Sequence, residues 1–151
     1  MVSTNTNAGR GTCFDIRRGS AGDAESIRHL AQELTTAFPF DHCAFGASFA
    51  AVLENPTATL LVAACEGQII GYLLGYRHST FWAGADVWWI EELLVDANHR
   101  SHGIGRALMT HYEDQARVAG GRLVCLVTRR AAEFYRAIGY EERAVYFRKA
   151  L

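Results

Sequence analysis

Arg100-Ser101-His102-Gly103-Ile104-Gly105 directly follows an apolar run that ends at Val95 and leads into a helical pattern. A strand, a glycine loop and a helix in that order make an anion site. The first residues of a helix carry backbone NH groups without intrahelical acceptors and the positive end of the helix dipole. Two glycines let a phosphate approach the main chain with no Cβ in the way. The expected contacts are the main-chain NH groups of Ser101, His102, Gly103, Ile104, Gly105 and Arg106, with the Arg100 side chain as a cation at the rim. The loop lacks the Gly-Lys-Ser/Thr ending of a P-loop and the Gly-x-Gly-x-x-Gly spacing of a dinucleotide fold, which argues against a nucleotide-binding module. Just upstream, Glu91 and Glu92 are neighbours in the apolar run. Successive strand residues face opposite ways, so in a regular strand only one of the two looks into a given cleft.

Periodicity supplies the elements that position these groups. Phe14 to Arg18 is expected as a strand, and Ser20 with Asp23 opens a helix whose Ile27, Leu30, Ala31 and Leu34 share one face. A second helix is expected over Phe45 to Leu53, stopped near Pro56. Thr59 to Ala64 and Gln68 to Tyr76 flank Glu66-Gly67 as a hairpin. Val87 to Val95 is a longer strand, followed by a helix from Gly103 to Val118 that Gly120-Gly121 ends. Arg122 to Val127 reads as a strand, Arg130 to Ile138 as a helix closed by Gly139, and Ala144 to Lys149 as a last strand. The order implies an α/β fold: one mixed, mostly antiparallel central sheet with a late parallel βαβ unit and helices on both faces.

Against that frame, Ile90 to Leu108 resembles the acyl-CoA binding motif of the GNAT superfamily of N-acetyltransferases. Ala131-x-x-Phe134-Tyr135-x-x-x-Gly139-Tyr140 is similar to the family's later helix-and-turn signature, and Ile16 to Ala24 to its opening strand and helix cap. The resemblance spans about Phe14 to Phe147. It implies acetyl-CoA as co-substrate, with its pyrophosphate on the glycine loop and its pantetheine arm paired to the main chain of Leu93, Leu94 and Val95 as an added strand. Thr128 stands where the family often has Asn, keeping a hydroxyl but losing the amide.

The implied reaction sets its own demands. An alkyl ammonium of pKa about 10.4 is neutral in roughly one molecule in a few thousand at pH 7, so a base or a preorganised site must remove its proton. The resemblance favours Glu91 over Glu92 for that role and leaves the choice between them open. The departing thiolate has a conjugate acid near pKa 8.5, and Tyr135, by its place in the Phe-Tyr signature, is the expected proton donor. Direct transfer in a ternary complex is expected, because none of the cysteines matches a nucleophile motif. A catalytically silent acyl-CoA-binding or sensing domain is the alternative.

Bulk properties agree with these expectations. At 151 residues the chain suits one ordinary domain, assigned to residues 13–151 behind a loose polar tail over 1–12. Fifteen basic against sixteen acidic side chains leave no basic excess for nucleic acid. No run of about twenty apolar residues suggests a membrane partner. Cys13, Cys43, Cys65 and Cys125 form no Cys-x-x-Cys pair and the six histidines no matching ligand set, so no metal is expected, and reduced thiols suit a cytoplasmic protein. His99 is read as a surface residue, and Trp82, Trp88 and Trp89 as core or interface. The acceptor, a small-molecule amine or a protein amine, stays open, with Asp86, Glu91 and Glu92 as candidate partners for a cation. So does the oligomeric state, a homodimer being common among such proteins.

Overall fold

The computed structural model describes residues 13–34 and 39–150. Among these described residues, five strands form one sheet in the order β1-β2-β3-β4-β5. β1 (Asp15–Arg18), β2 (Ala58–Cys65), β3 (Gln68–Ser79) and β4 (Asp86–Val95) run as an antiparallel meander, and β5 (Leu123–Leu126) lies parallel to β4. The β4–β5 connection carries α3 (Ile104–Val118), the expected late βαβ unit.

Both faces of the sheet are covered, and β2 is buried almost throughout for that reason. On one face Ile104, Leu108, Met109, Tyr112 and Ala116 form the apolar stripe of α3 and pack on Leu61, Ala63, Leu73, Trp88 and Ile90. On the other, Ile27 and Leu30 of α1 (Ala24–Ala31) and Phe49 of α2 (His42–Glu54) cover Leu60, Val62, Tyr72 and Leu94. The short α4 (Ala132–Ala137) brings Phe134 and Tyr135 to the α3 side.

Local signals set most boundaries. Asp23 accepts from the Ser20 backbone NH at 2.8 Å and from both terminal nitrogens of Arg17 at 2.7 and 2.8 Å, joining β1 to the start of the α1 region. The second helix begins at His42 rather than Phe45, because the Asp41 side chain accepts from the NH groups of Cys43 and Ala44 at 2.9 Å and caps that turn.

The expected strand over Ala144 to Lys149 is not formed; residues 141–150 carry no strand and are exposed. A segment of β-prone residues becomes a strand only when a neighbour completes its hydrogen-bond ladder, and among the described residues none does. The expected tail, 1–12, lies outside the described residues.

Candidate active site

The sheet changes character at one residue. β4 and β5 pair from Val87↔Leu123 to Ile90↔Leu126 and no further. At the same level the β3–β4 register jumps from Leu74↔Glu92 to Gly75↔Ile90, which leaves Glu91 as an unpaired bulge residue. Beyond the bulge, Leu93, Leu94 and Val95 pair with β3 on one side and face no strand on the other. Their main chain therefore borders a gap in the sheet, open to an extended ligand. The Val95 carbonyl already accepts from Arg100 Nε at 3.0 Å.

The bulge also decides which face each carboxylate sees. Trp88 and Ile90 point into the α3 core, and an uninterrupted strand would have sent Glu92 after them. Instead Glu92 lies on the α1–α2 face, where the Tyr72 hydroxyl donates to its Oε2 at 2.6 Å. Tyr72 is 1% exposed. Desolvation pushes the Glu92 carboxyl above its ordinary range, and the neighbouring Glu91 charge adds to the rise, while the Tyr72 hydrogen bond opposes it. Glu91 itself is exposed. On the same side stands Tyr76, cross-strand from Trp89, its hydroxyl raised by burial and by both glutamates. Asp86 lies apart, at the start of β4, accepting from Ser79 Oγ at 2.7 Å.

The glycine loop has the geometry of an anion cradle. Ser101 (φ 65°) and Gly103 (φ 80°) are both left-handed, which turns the chain sharply into α3. The first intrahelical bond runs from the Ala107 NH to the Gly103 carbonyl at 2.9 Å, and no side chain caps the helix. The NH groups of Ile104, Gly105 and Arg106 are thus left for a ligand. Buried Ile104 packs against Gly71 and anchors the turn. His102 Nδ1 lies 2.7 Å from the Arg100 carbonyl, tying the loop to itself. Arg100 turns back from the rim: its Nη2 pairs with Glu33 at 3.0 Å. Arg106 is exposed and makes no ion pair among the described residues.

Tyr135 packs against the α3 core, half-buried between Phe134 and Tyr140, with ring centroids 5.0 and 5.8 Å away. Burial raises its hydroxyl, which therefore stays protonated at neutral pH, and no protein partner takes that proton among the described residues. Tyr140 is committed elsewhere, donating to Glu113 Oε1 at 2.9 Å. Thr128 Oγ1 accepts from the Ala131 NH at 3.0 Å, so its hydroxyl serves the turn into α4. Trp88 is buried edge-on against Tyr112, Trp89 is half-buried and Trp82 is exposed.

The bulge thus sets the open β4 edge and Glu92 beside one another, with Glu92 on the α1–α2 face, while Tyr135 belongs to the core on the opposite, α3 face. Tyr72 and Tyr76 were not among the residues singled out from sequence. Their spacing of four along a strand places them on one face, but only the hairpin register shows that this face is shared with Glu92.

Comparison with known proteins agrees with the geometry. The model of the acetyltransferase (GNAT) family matches residues 24–140. The chain is 32% identical over 145 residues to an aminoalkylphosphonate N-acetyltransferase of Salmonella typhimurium, covering 91% of each. It is 31% identical over 157 residues to a streptothricin acetyltransferase of Streptomyces lavendulae, covering 86% of this chain and 82% of that one. Among solved structures, an acetyltransferase from Agrobacterium tumefaciens superposes with a TM-score of 0.81 at 25% identity, over 91% of this chain and 99% of its own.

Proposed function

As a member of the GNAT acetyltransferase family, the chain is an acetyl-CoA-dependent N-acetyltransferase, and we propose that it passes the acetyl group directly to a small-molecule amine in a ternary complex. The observation that carries this reading is the open β4 edge beyond Ile90↔Leu126, with Glu92 held by Tyr72 on the α1–α2 face beside it. Acetyl-CoA supplies the acetyl group as an activated thioester. The NH groups of Ile104, Gly105 and Arg106 fit its pyrophosphate, and the open main chain from Leu93 to Val95 fits its pantetheine amides.

Glu92 is the better general base, which departs from the preference for Glu91. A base works best when its pKa approaches the operating pH, and desolvation moves Glu92 in that direction. Exposed Glu91 contributes a negative charge that draws an ammonium towards the gap. Tyr135, protonated and without a protein acceptor, donates to the departing thiolate. Cys65 and Cys125 are half-buried, and burial raises the Cys125 thiol, the opposite of an activated nucleophile.

Release of free CoA thiol, measured with acetyl-CoA and a panel of amines, tests the proposal. Aminoalkylphosphonates and streptothricin come first, because the two relatives are named for them; polyamines, amino acids and peptide N-termini complete the panel. Double-reciprocal lines that intersect when both substrates are varied support direct transfer, and parallel lines would overturn it.

A further inference from the structure

We infer that Tyr72 is a positioning residue for Glu92, holding the carboxylate with Oε2 occupied and Oε1 turned to the proton of the incoming amine. This rests on the reading of Glu92 as the base. Tyr72 lies opposite Leu94 on β3, diagonal to Glu92, whose own cross-strand partner is Leu74. Diagonal neighbours on one face are within reach of long side chains, and the 2.6 Å contact shows that these two meet. A buried hydroxyl needs an acceptor, and Glu92 is the one the structure provides for it. A glutamate ordinarily samples several rotamers; a carboxylate anchored through one oxygen loses that freedom before the substrate arrives.

The same bond sets the protonation state. Burial and Glu91 favour the neutral acid, and Tyr72 favours the carboxylate by donating to it. The groups acting on Glu92 are Tyr72 from β3 and Glu91 from β4, and the two glutamates in turn help burial to raise Tyr76 on the same face. Among the described residues the helices pack Ile27, Leu30, Phe45 and Phe49 on this face, and none of these four titrates. Tyr72 stays protonated, since burial and the adjacent carboxylate both raise it, so it remains a donor throughout the working range.

Tyr72→Phe keeps the ring and deletes the donor. Carboxyl carbon NMR, with the Glu92 resonance identified by its loss in Glu92→Gln, should show the Glu92 midpoint rising by about one pH unit in Tyr72→Phe. The acid limb of kcat/KM, with the best amine of the panel, should move the same way while acetyl-CoA KM is unchanged. In the Glu92→Gln background the Tyr72 change should cost no further turnover, because there is no carboxylate left to hold. An unmoved midpoint and limb, or an added loss in the double variant, would return Tyr72 to the core. A Glu92→Gln enzyme that keeps the wild-type acid limb would instead overturn Glu92 as the base, and the positioning role with it.

Discussion

Tyr112 fills the space that any side chain at Gly75 would need: a Cβ added there would stand 2.3 Å from the Tyr112 oxygen and 2.5 Å from its Cζ. The ring comes from α3, is fully buried, and reaches the carbonyls of Tyr76 at 3.3 Å and Trp89 at 3.2 Å. Those carbonyls belong to the strand pair beside the Glu91 bulge. The helix that begins in the glycine loop thus also braces the irregularity that sorts the two glutamates. Gly75→Ala is expected to lower stability by roughly 1–3 kcal/mol, since a rigid buried ring must shift. Denaturant midpoints check this; an unchanged midpoint would mean that the ring moves freely.

Gly103→Val tests the anion loop. Open space surrounds the position, so the obstacle is conformational: φ is 80° there, and a β-branched residue in that region costs on the order of 1–2 kcal/mol. Restoring an ordinary φ re-aims the NH groups at the start of α3. Acetyl-CoA should raise the Tm of the wild type and not that of the variant. Equal shifts would place the pyrophosphate elsewhere.

Tyr135→Phe removes one hydroxyl and leaves the ring between Phe134 and Tyr140. Turnover should fall by roughly a hundredfold or more while acetyl-CoA binding persists. Wild-type turnover under conditions where chemistry limits the rate would assign Tyr135 to packing alone.

Glu92→Gln should depress turnover at neutral pH by about a hundredfold and recover partly towards pH 10, where the amine deprotonates unaided. The sign for the intact enzyme follows from the raised carboxyl: activity is lost as the pH falls through a value above the ordinary glutamate range. Glu91→Gln should act in the opposite sense on that limb. Removing the Glu91 charge lowers Glu92, so the limb moves to lower pH with modest loss of turnover. Profiles from about pH 6 to 10 for both variants separate the two carboxylates. If Glu91→Gln gives the larger loss, the assignment of the base reverses.

Asp23 links stability to pH. Its two bonds to Arg17, helped by Ser20, hold its carboxyl at about 2 rather than 3.8, against the opposing effect of burial. A depressed carboxyl means that the unfolded chain binds the proton more tightly. The stabilisation is therefore complete above pH 3.8 and is lost as the pH falls towards 2. Arg17 is 42% exposed, so solvent screening reduces the effect, and about 1–2 kcal/mol is expected. Asp23→Asn should lose that amount at pH 7 and little at pH 2, measured by urea unfolding.

The candidate site residues are legible in the sequence wherever local rules determine structure. Gly103 after a strand announces a sharp turn because its left-handed φ of 80° favours glycine there, and Gly105 just after it leaves room beside the Phe134 ring. The α3 stripe from Ile104 to Ala116, the Glu66-Gly67 turn and the Ser20–Asp23 start follow from side-chain period and capping, which act over a few residues. The placement of Tyr135 on a short helix after a parallel strand follows from the same order of elements.

What the tertiary structure alone decided are the relations between residues far apart in sequence. Glu33 captures Arg100 from 67 positions away, and Tyr72 engages Glu92 across a hairpin. Ala144 to Lys149 has the β-branched and aromatic content of a strand but no paired neighbour among the described residues, and it is not one. Above all, one unpaired residue at Glu91 shifts the register, and the carboxylate that a regular strand would aim at the α3 core lies beside Tyr72 instead. Pattern along a chain records which residues prefer to be buried; strand register, set by packing on both faces at once, decides which side they are buried on.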